Sequence, residues 1–309
     1  MKLLIELPTW MGDTVMATPA IINLISHYKT PKITFIGSVV SSKLVENYKD
    51  VDRVIILDKK KLNIFKDIIN LGNFDVFISF RSSFFSSLMM LCVSSNIKHQ
   101  FDKKKYTKGH TVEKYNNFIN ECFGLNKSPG RLKLKTKVFL KKDCNKKFLG
   151  INPGASYGSA KRWYPNEFGK VAVSLAKNYE ILILGGPGEE NIAAEIEKYL
   201  IKKNVKNYTN LAAKTSVSEL ISEINNLDLL ITADSGPMHI AAALNVPTIS
   251  IFGPTKNDET AQWMNKKSII VKKKLECQPC MKRTCPLKHH NCMKLIEAKD
   301  VLEAVKRLN

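Results

Sequence analysis

Ala233-Asp234-Ser235-Gly236-Pro237-Met238-His239 is the stretch on which the reading of this chain turns. It follows an apolar run at 227–232 and precedes a small-residue helix candidate at 240–244, so a buried strand ends in a turn that opens a helix. Unbonded N–H groups at a helix N-terminus, with the positive end of its dipole, receive phosphate. Gly236 lets a ligand lie close to the backbone. Ser235 suits a cap or a hydroxyl donor, Pro237 suits the first helical turn, and His239 offers a donor to an anion. The stretch predicts an anion or nucleotide-phosphate site at the C-terminal edge of a parallel sheet.

Outward from this turn the chain alternates strand and helix. Residues 148–152, 181–184, 227–232 and 248–252 are short apolar runs suited to buried parallel strands, with helix candidates at 165–177, 189–202 and 217–226. The first half repeats the pattern, with strands at 3–7, 33–36, 54–57 and 76–80 and helices at 14–27 and 62–71. The tail from 300 to 308 reads as a terminal helix. Two doubly wound α/β domains follow, 1–145 and 146–309, joined through the basic segment 126–147 with its Ser128-Pro129-Gly130.

Composition sets the outer bounds. The 309 residues suffice for two ordinary domains, and 44% hydrophobic with 25% charged is a globular balance. No run of 18 or more apolar residues appears, and the N-terminus reads as a first strand rather than a signal peptide, so the expected location is the cytoplasm. The net charge is +20, and residues 98–147 hold fifteen Lys/Arg against four Asp/Glu. Such a surface suits an anionic partner or is simply a solvated lysine face. No zinc-finger spacing with paired histidines and no RNP1 pattern points to specific nucleic-acid binding.

Three further stretches follow strands and bear on chemistry. In Thr9-Trp10-Met11-Gly12-Asp13, Gly12 permits a tight turn, and Asp13 is either a helix N-cap or a general base for a hydroxyl. Asn152 to Arg162 is a small-residue loop ending in two cations, suited to wrapping a diphosphate while Lys161 supplies a point charge; it is not a Walker A loop. After Gly185-Gly186-Pro187-Gly188, Glu189 either holds a ribose diol or sits favourably in a helix first turn. A GxGxxG fingerprint is missing, which removes support for nicotinamide or flavin chemistry.

Cys277, Cys280, Cys285 and Cys292 fall within sixteen residues, in the segment 277–292. In a cytoplasmic chain such a group is either a structural zinc or iron–sulfur site or a set of reduced thiols in a loop. His289 and His290 are able to replace one sulfur.

Together, Pro8 to Asp13, Pro153-Gly154-Ala155 to Lys161-Arg162-Trp163, Gly185 to Glu189 and Asp234 to His239 resemble glycosyltransferase family 9, in order and over nearly the whole chain. The cysteine segment resembles the C-terminal region of the subgroup that adds the second heptose of the lipopolysaccharide inner core. The resemblance implies a GT-B fold: two facing Rossmann-like domains with a cleft between them. It implies inverting transfer of L-glycero-D-manno-heptose from ADP-heptose to the inner-core acceptor, at the cytoplasmic face of the inner membrane in peripheral contact with its anionic surface. Asp13 matches the family's base. Lys161, Glu189 and Asp234 match donor contacts, joined by Ser235, Gly236, Pro237, Met238, His239 and Ser156. Gly12, Arg81, Ser82, Lys108 and His110 are the candidate acceptor contacts. Because Lys161, His239 and the helix N-terminus can neutralise departing ADP, no cofactor is expected for transfer. The alternatives are transfer of the first or third heptose, another family 9 sugar, or a non-catalytic nucleotide- or nucleic-acid-binding protein.

Overall fold

The computed structural model describes residues 1–57, 64–135 and 146–308. They divide into two compact units, Met1–Lys137 and Val138–Asn309. The expected domain boundary falls at the end of 136–145, which lies outside the described residues, as do 62 and 63 at the start of one expected helix.

The first unit contains β1 (Lys2–Glu6), β2 (Lys32–Gly37), β3 (Val51–Ile56), β4 (Asn73–Ser79) and β5 (Ser94–Gln100) in one sheet. Its helices are α1 (Met11–Ile25), α2 (Val39–Lys43), α3 (Ile64–Ile69), α4 (Phe84–Cys92) and α5 (Thr111–Phe123). The strand order is β3-β2-β1-β4-β5, every pairing parallel. Central strands β1, β2 and β4 are almost wholly buried, as a sheet covered on both faces requires. Edge strand β5, SSNIKHQ, is half-exposed and polar, and for that reason no apolar run announces it.

Asp13 is not the cap of α1. That helix starts at Met11 with Trp10 as N-cap and no side-chain cap bond, so Asp13 stands at the third helical position. Thr14 Oγ1 instead ties the turn together, donating to the Pro8 and Trp10 carbonyls at 3.1 and 3.0 Å.

The second unit contains β6 (Lys147–Asn152), β7 (Tyr179–Ile183), β8 (Tyr208–Asn210), β9 (Leu229–Ala233), β10 (Thr248–Ile251) and β11 (Ser268–Val271). Its helices are α6 (Pro165–Leu175), α7 (Glu190–Lys202), α8 (Val217–Asn225), α9 (Gly236–Ala243), α10 (Asn257–Thr260), α11 (Asn291–Lys294) and α12 (Ala298–Leu308). The order β11-β10-β9-β6-β7-β8, all parallel, is the complete dinucleotide-fold order when counted from β6. Leu149, Ile151, Ile181, Ile183, Ile231 and Ile249 pack with Trp163, Phe168, Met293 and Val301 into its core. Among the described residues no helix is long and apolar enough to cross a membrane.

In each unit strand order reverses beside the first strand, between β1 and β4 and between β6 and β9. Ligands of open parallel sheets bind outside the strand C-termini at that reversal.

Candidate active site

At the β1/β4 edge, register pairs the last residue of each strand, Glu6 with Ser79. Glu6 is fully buried and accepts from Ser79 Oγ (2.5 Å), Ser86 Oγ (2.9 Å) and Arg81 Nη1 (3.0 Å). Burial pushes its carboxyl above the ordinary 4.5, with Ser79, Arg81 and Ser86 working against that rise. Glu6 thereby fixes the guanidinium of Arg81 just past β4. A lone acid inside the apolar run of β1 was the signal that could have revealed it. Asp13 and Gly12 sit in the first turn of α1, which follows β1, and Ser82 and Lys108 are exposed. Asp13's charge reaches Tyr115, whose hydroxyl is held well above its ordinary range, by burial first and by Asp13 second.

His110, expected among the acceptor contacts, has a structural part in the fold. It is buried and N-caps α5, its Nδ1 accepting the Val112 N–H at 3.2 Å, while the Glu113 carboxylate accepts the His110 N–H at 2.7 Å. This is a capping box with histidine in the serine position.

At the β6/β9 edge, register pairs Asn152 with Thr232, the same seat that Glu6 and Ser79 occupy in the first unit. Asn152 Nδ2 donates to Thr232 Oγ1 at 3.0 Å and to Ser235 Oγ at 2.9 Å. Helix α9 begins at Gly236, earlier than expected, with Ser235 as N-cap residue but no side-chain cap bond, because its hydroxyl faces Asn152 and the Ala233 carbonyl instead. Gly236 and Pro237 form the half-exposed first turn. Met238 is fully buried, so its side chain belongs to the core and not to a ligand surface, and His239 is 3% exposed.

Lys161, ending a short 3₁₀ turn at Ser159–Lys161, lies against this helix start. Its Nζ is 2.6 Å from Asp234 Oδ2 and 3.4 Å from the Asp234 carbonyl oxygen, and it stands 4.7 Å from the centre of the Tyr157 ring. Thr255 Oγ1 donates to the same Asp234 oxygen at 2.6 Å. Arg283 lies over the Tyr157 ring at 5.5 Å. Thr255 and Arg283 come from distant parts of the chain, so no local spacing in the sequence marks them. Ser156 is exposed in the same loop.

Glu189 lies at the adjoining β7 edge, just before α7, and its Oε2 accepts the Gly186 N–H at 2.8 Å. It is 8% exposed, and burial raises its carboxyl above 4.5 against the Gly186 bond. Gly154 is required here: a Cβ on it would stand 2.0 Å from the Glu189 carboxylate. The small-residue loop after β6 and the acid after β7 thus share one space. The second unit therefore offers a helix N-terminus, a positioned lysine and a carboxylate near one another at strand C-termini, a chemistry suited to phosphate and a diol.

The family model for "Glycosyltransferase family 9 (heptosyltransferase)" matches residues 65–291. The chain belongs to glycosyltransferase family 9. Among family members, it is 40% identical to the "Lipooligosaccharide heptosyltransferase 2" of Campylobacter jejuni, over 100% of this chain and 98% of that protein. The fold of E. coli ADP-heptose LPS heptosyltransferase II matches with a TM-score of 0.81 at 20% identity, covering 100% of this chain and 98% of that one. The structure of E. coli heptosyltransferase WaaC with ADP matches with a TM-score of 0.78 at 15% identity, covering 100% of both chains. The GT-B class of fold, two parallel-sheet α/β domains in one chain, is common to them.

Proposed function

We propose that this family 9 glycosyltransferase moves a heptose from ADP-heptose, with inversion at the anomeric carbon, to the lipopolysaccharide or lipooligosaccharide inner core, adding the second heptose. The observation that carries the reading is 40% identity to a "heptosyltransferase 2" along the full length of both chains. The paired Lys161–Asp234 at the start of α9 supports it chemically. In the second unit Lys161 and the N–H groups opening α9 meet the diphosphate, and His239 and the Ser235 hydroxyl lie beside them. Glu189 exchanges its Gly186 N–H for the ribose hydroxyls. Negative charge grows on ADP as the bond to the sugar breaks, and fixed donors at a helix N-terminus stabilise it without reorganising. In the first unit Asp13 takes the proton from the attacking acceptor hydroxyl. Arg81, held by Glu6, meets an anionic group of the acceptor, with Ser82, Gly12 and Lys108 nearby in sequence or at the same edge.

The excess of cations supports peripheral contact with the anionic inner-membrane surface at its cytoplasmic face, and no specific nucleic acid is a partner in this reading. The decisive assay offers ADP-heptose and inner-core acceptors carrying zero, one or two heptoses. Transfer only to the one-heptose acceptor is expected; transfer only to the heptose-free one assigns the first addition instead, and no transfer to any of them removes the reading.

A further inference from the structure

We infer that Cys277, Cys280, Cys285 and Cys292 bind one zinc ion as a structural tetrathiolate, and that this ion braces the loop carrying Lys161. All four cysteines line a single cavity of about 20 Å³. That is roughly the space of one water-sized sphere. None of the four is in a disulfide. A cavity ringed by four sulfurs has the donor set that soft, tetrahedral zinc takes, with Zn–S about 2.3 Å.

The histidines line the same cavity, but three of their four ring nitrogens hold other contacts. His290 places Nε2 3.0 Å from the Ala160 carbonyl oxygen and Nδ1 3.2 Å from the Tyr164 hydroxyl. His289 Nδ1 accepts the Asn291 N–H at 2.9 Å. Sulfur therefore supplies all four ligands. Among the described residues no three Cys, His, Asp or Glu side chains are already gathered as a metal would hold them, so binding would require the thiolates to move inward. Four thiolates around Zn²⁺ leave a net charge of about −2. The surrounding chain matches it: residues 272–294 contain seven Lys/Arg and one Glu.

The same segment grips the donor-side loop at several points. Ala160 N–H donates to the Arg283 carbonyl at 3.0 Å, and Tyr157 OH donates to the Met281 carbonyl at 2.7 Å. Gly158 packs so closely on Arg283 that a Cβ would lie 2.3 Å from its carbonyl oxygen. Met281, Lys288 and His290 adopt left-handed φ of 54°, 57° and 52°, a conformation that non-glycine residues keep only when their surroundings hold it. Zinc held by the four cysteines would brace the turn at 159–161 through these contacts. The consequence for the donor rests on the role proposed for Lys161; the metal site does not.

Metal content and hydrogen exchange test the inference on the full chain. Protein purified without oxygen or added metal should contain one zinc per chain and, after chelation, take up Co²⁺ with intense thiolate-to-cobalt absorption. Cys280→Ser and Cys285→Ser should each lose stoichiometric zinc, and the amides of residues 158–161 should exchange faster in zinc-free wild-type protein. Substoichiometric zinc together with no cobalt uptake overturns the site, whatever the variants do. Stoichiometric iron in place of zinc overturns the assigned metal. Fewer than the seven free thiols encoded by the sequence, counted under denaturant, overturns it in favour of a disulfide. Loss of ADP binding with zinc retained would count against the Lys161 reading alone.

Discussion

Asp13 and Lys161 carry opposite halves of the proposed reaction, so their variants should fail differently. Asp13→Asn keeps the size and the helical position but cannot accept a proton; kcat should fall by about 10²–10⁴ while ADP affinity, measured by calorimetry, is unchanged. Normal turnover in this variant rules Asp13 out as the base. Lys161→Ala removes the cation and strands the Asp234 carboxylate, 4% exposed and otherwise bonded to Thr255, beside an incoming diphosphate. It should weaken ADP binding and slow transfer together, and unaltered kinetics would exclude the diphosphate contact. Glu6 supplies a pH signature. Its carboxyl titrates above 4.5 in the folded chain, so the native state binds more protons than the unfolded chain there. The stability it contributes is complete below about 4.5 and is lost as pH rises through its raised value. Glu6→Gln should therefore gain stability relative to wild type between pH 4.5 and 7 in urea titrations, while losing acceptor affinity through a loosened Arg81. A constant difference across that range would mean that Glu6 titrates normally.

Elements differ in how openly their residues announce them. Buried strands β1, β2, β6, β7, β9 and β10 are apolar runs, because a parallel sheet covered on both faces has no wet side to write polar residues on. Edge strands β5 and β8 lack that constraint, and SSNIKHQ and YTN read as loop. Helix α5 escaped notice because its start signal is histidine, a residue rarely read as a cap. The turns after β6, β7 and β9 were legible from their glycines and from the helix opening, since a strand that turns at once into a helix calls for small residues at fixed offsets. The Glu6–Arg81 pair and the Thr255–Asp234 bond were not, since their partners meet only after the sheet has formed, 75 and 21 residues apart. The cap of α5 is itself testable. His110→Ala should destabilise the protein by about 1 kcal/mol in denaturant unfolding with the acceptor KM unchanged. A raised KM without lost stability would return His110 to the acceptor contacts.

Over the whole molecule the charge of +20 is a long-range field that salt should erase. Binding to vesicles containing phosphatidylglycerol should be tight at about 0.05 M salt and largely gone at about 0.5 M, with little binding to neutral vesicles at either. Equal binding to neutral vesicles would assign the contact to exposed apolar residues such as Phe84 and Leu91, 79% and 75% exposed, rather than to lysine. The order of strands has a different consequence, in time rather than in energy. In each unit the first strand made stands at the centre of the finished sheet, and its second neighbour arrives late: β4 starts at residue 73 and β9 at residue 229. The first sheet has every strand in hand at Gln100, whereas β6, made by Asn152, waits through 76 further residues for Leu229. A ribosome making this chain therefore releases a closed first unit long before the second can close. The interval in which β6 lies half-paired is when a nascent chain is most exposed to misassembly.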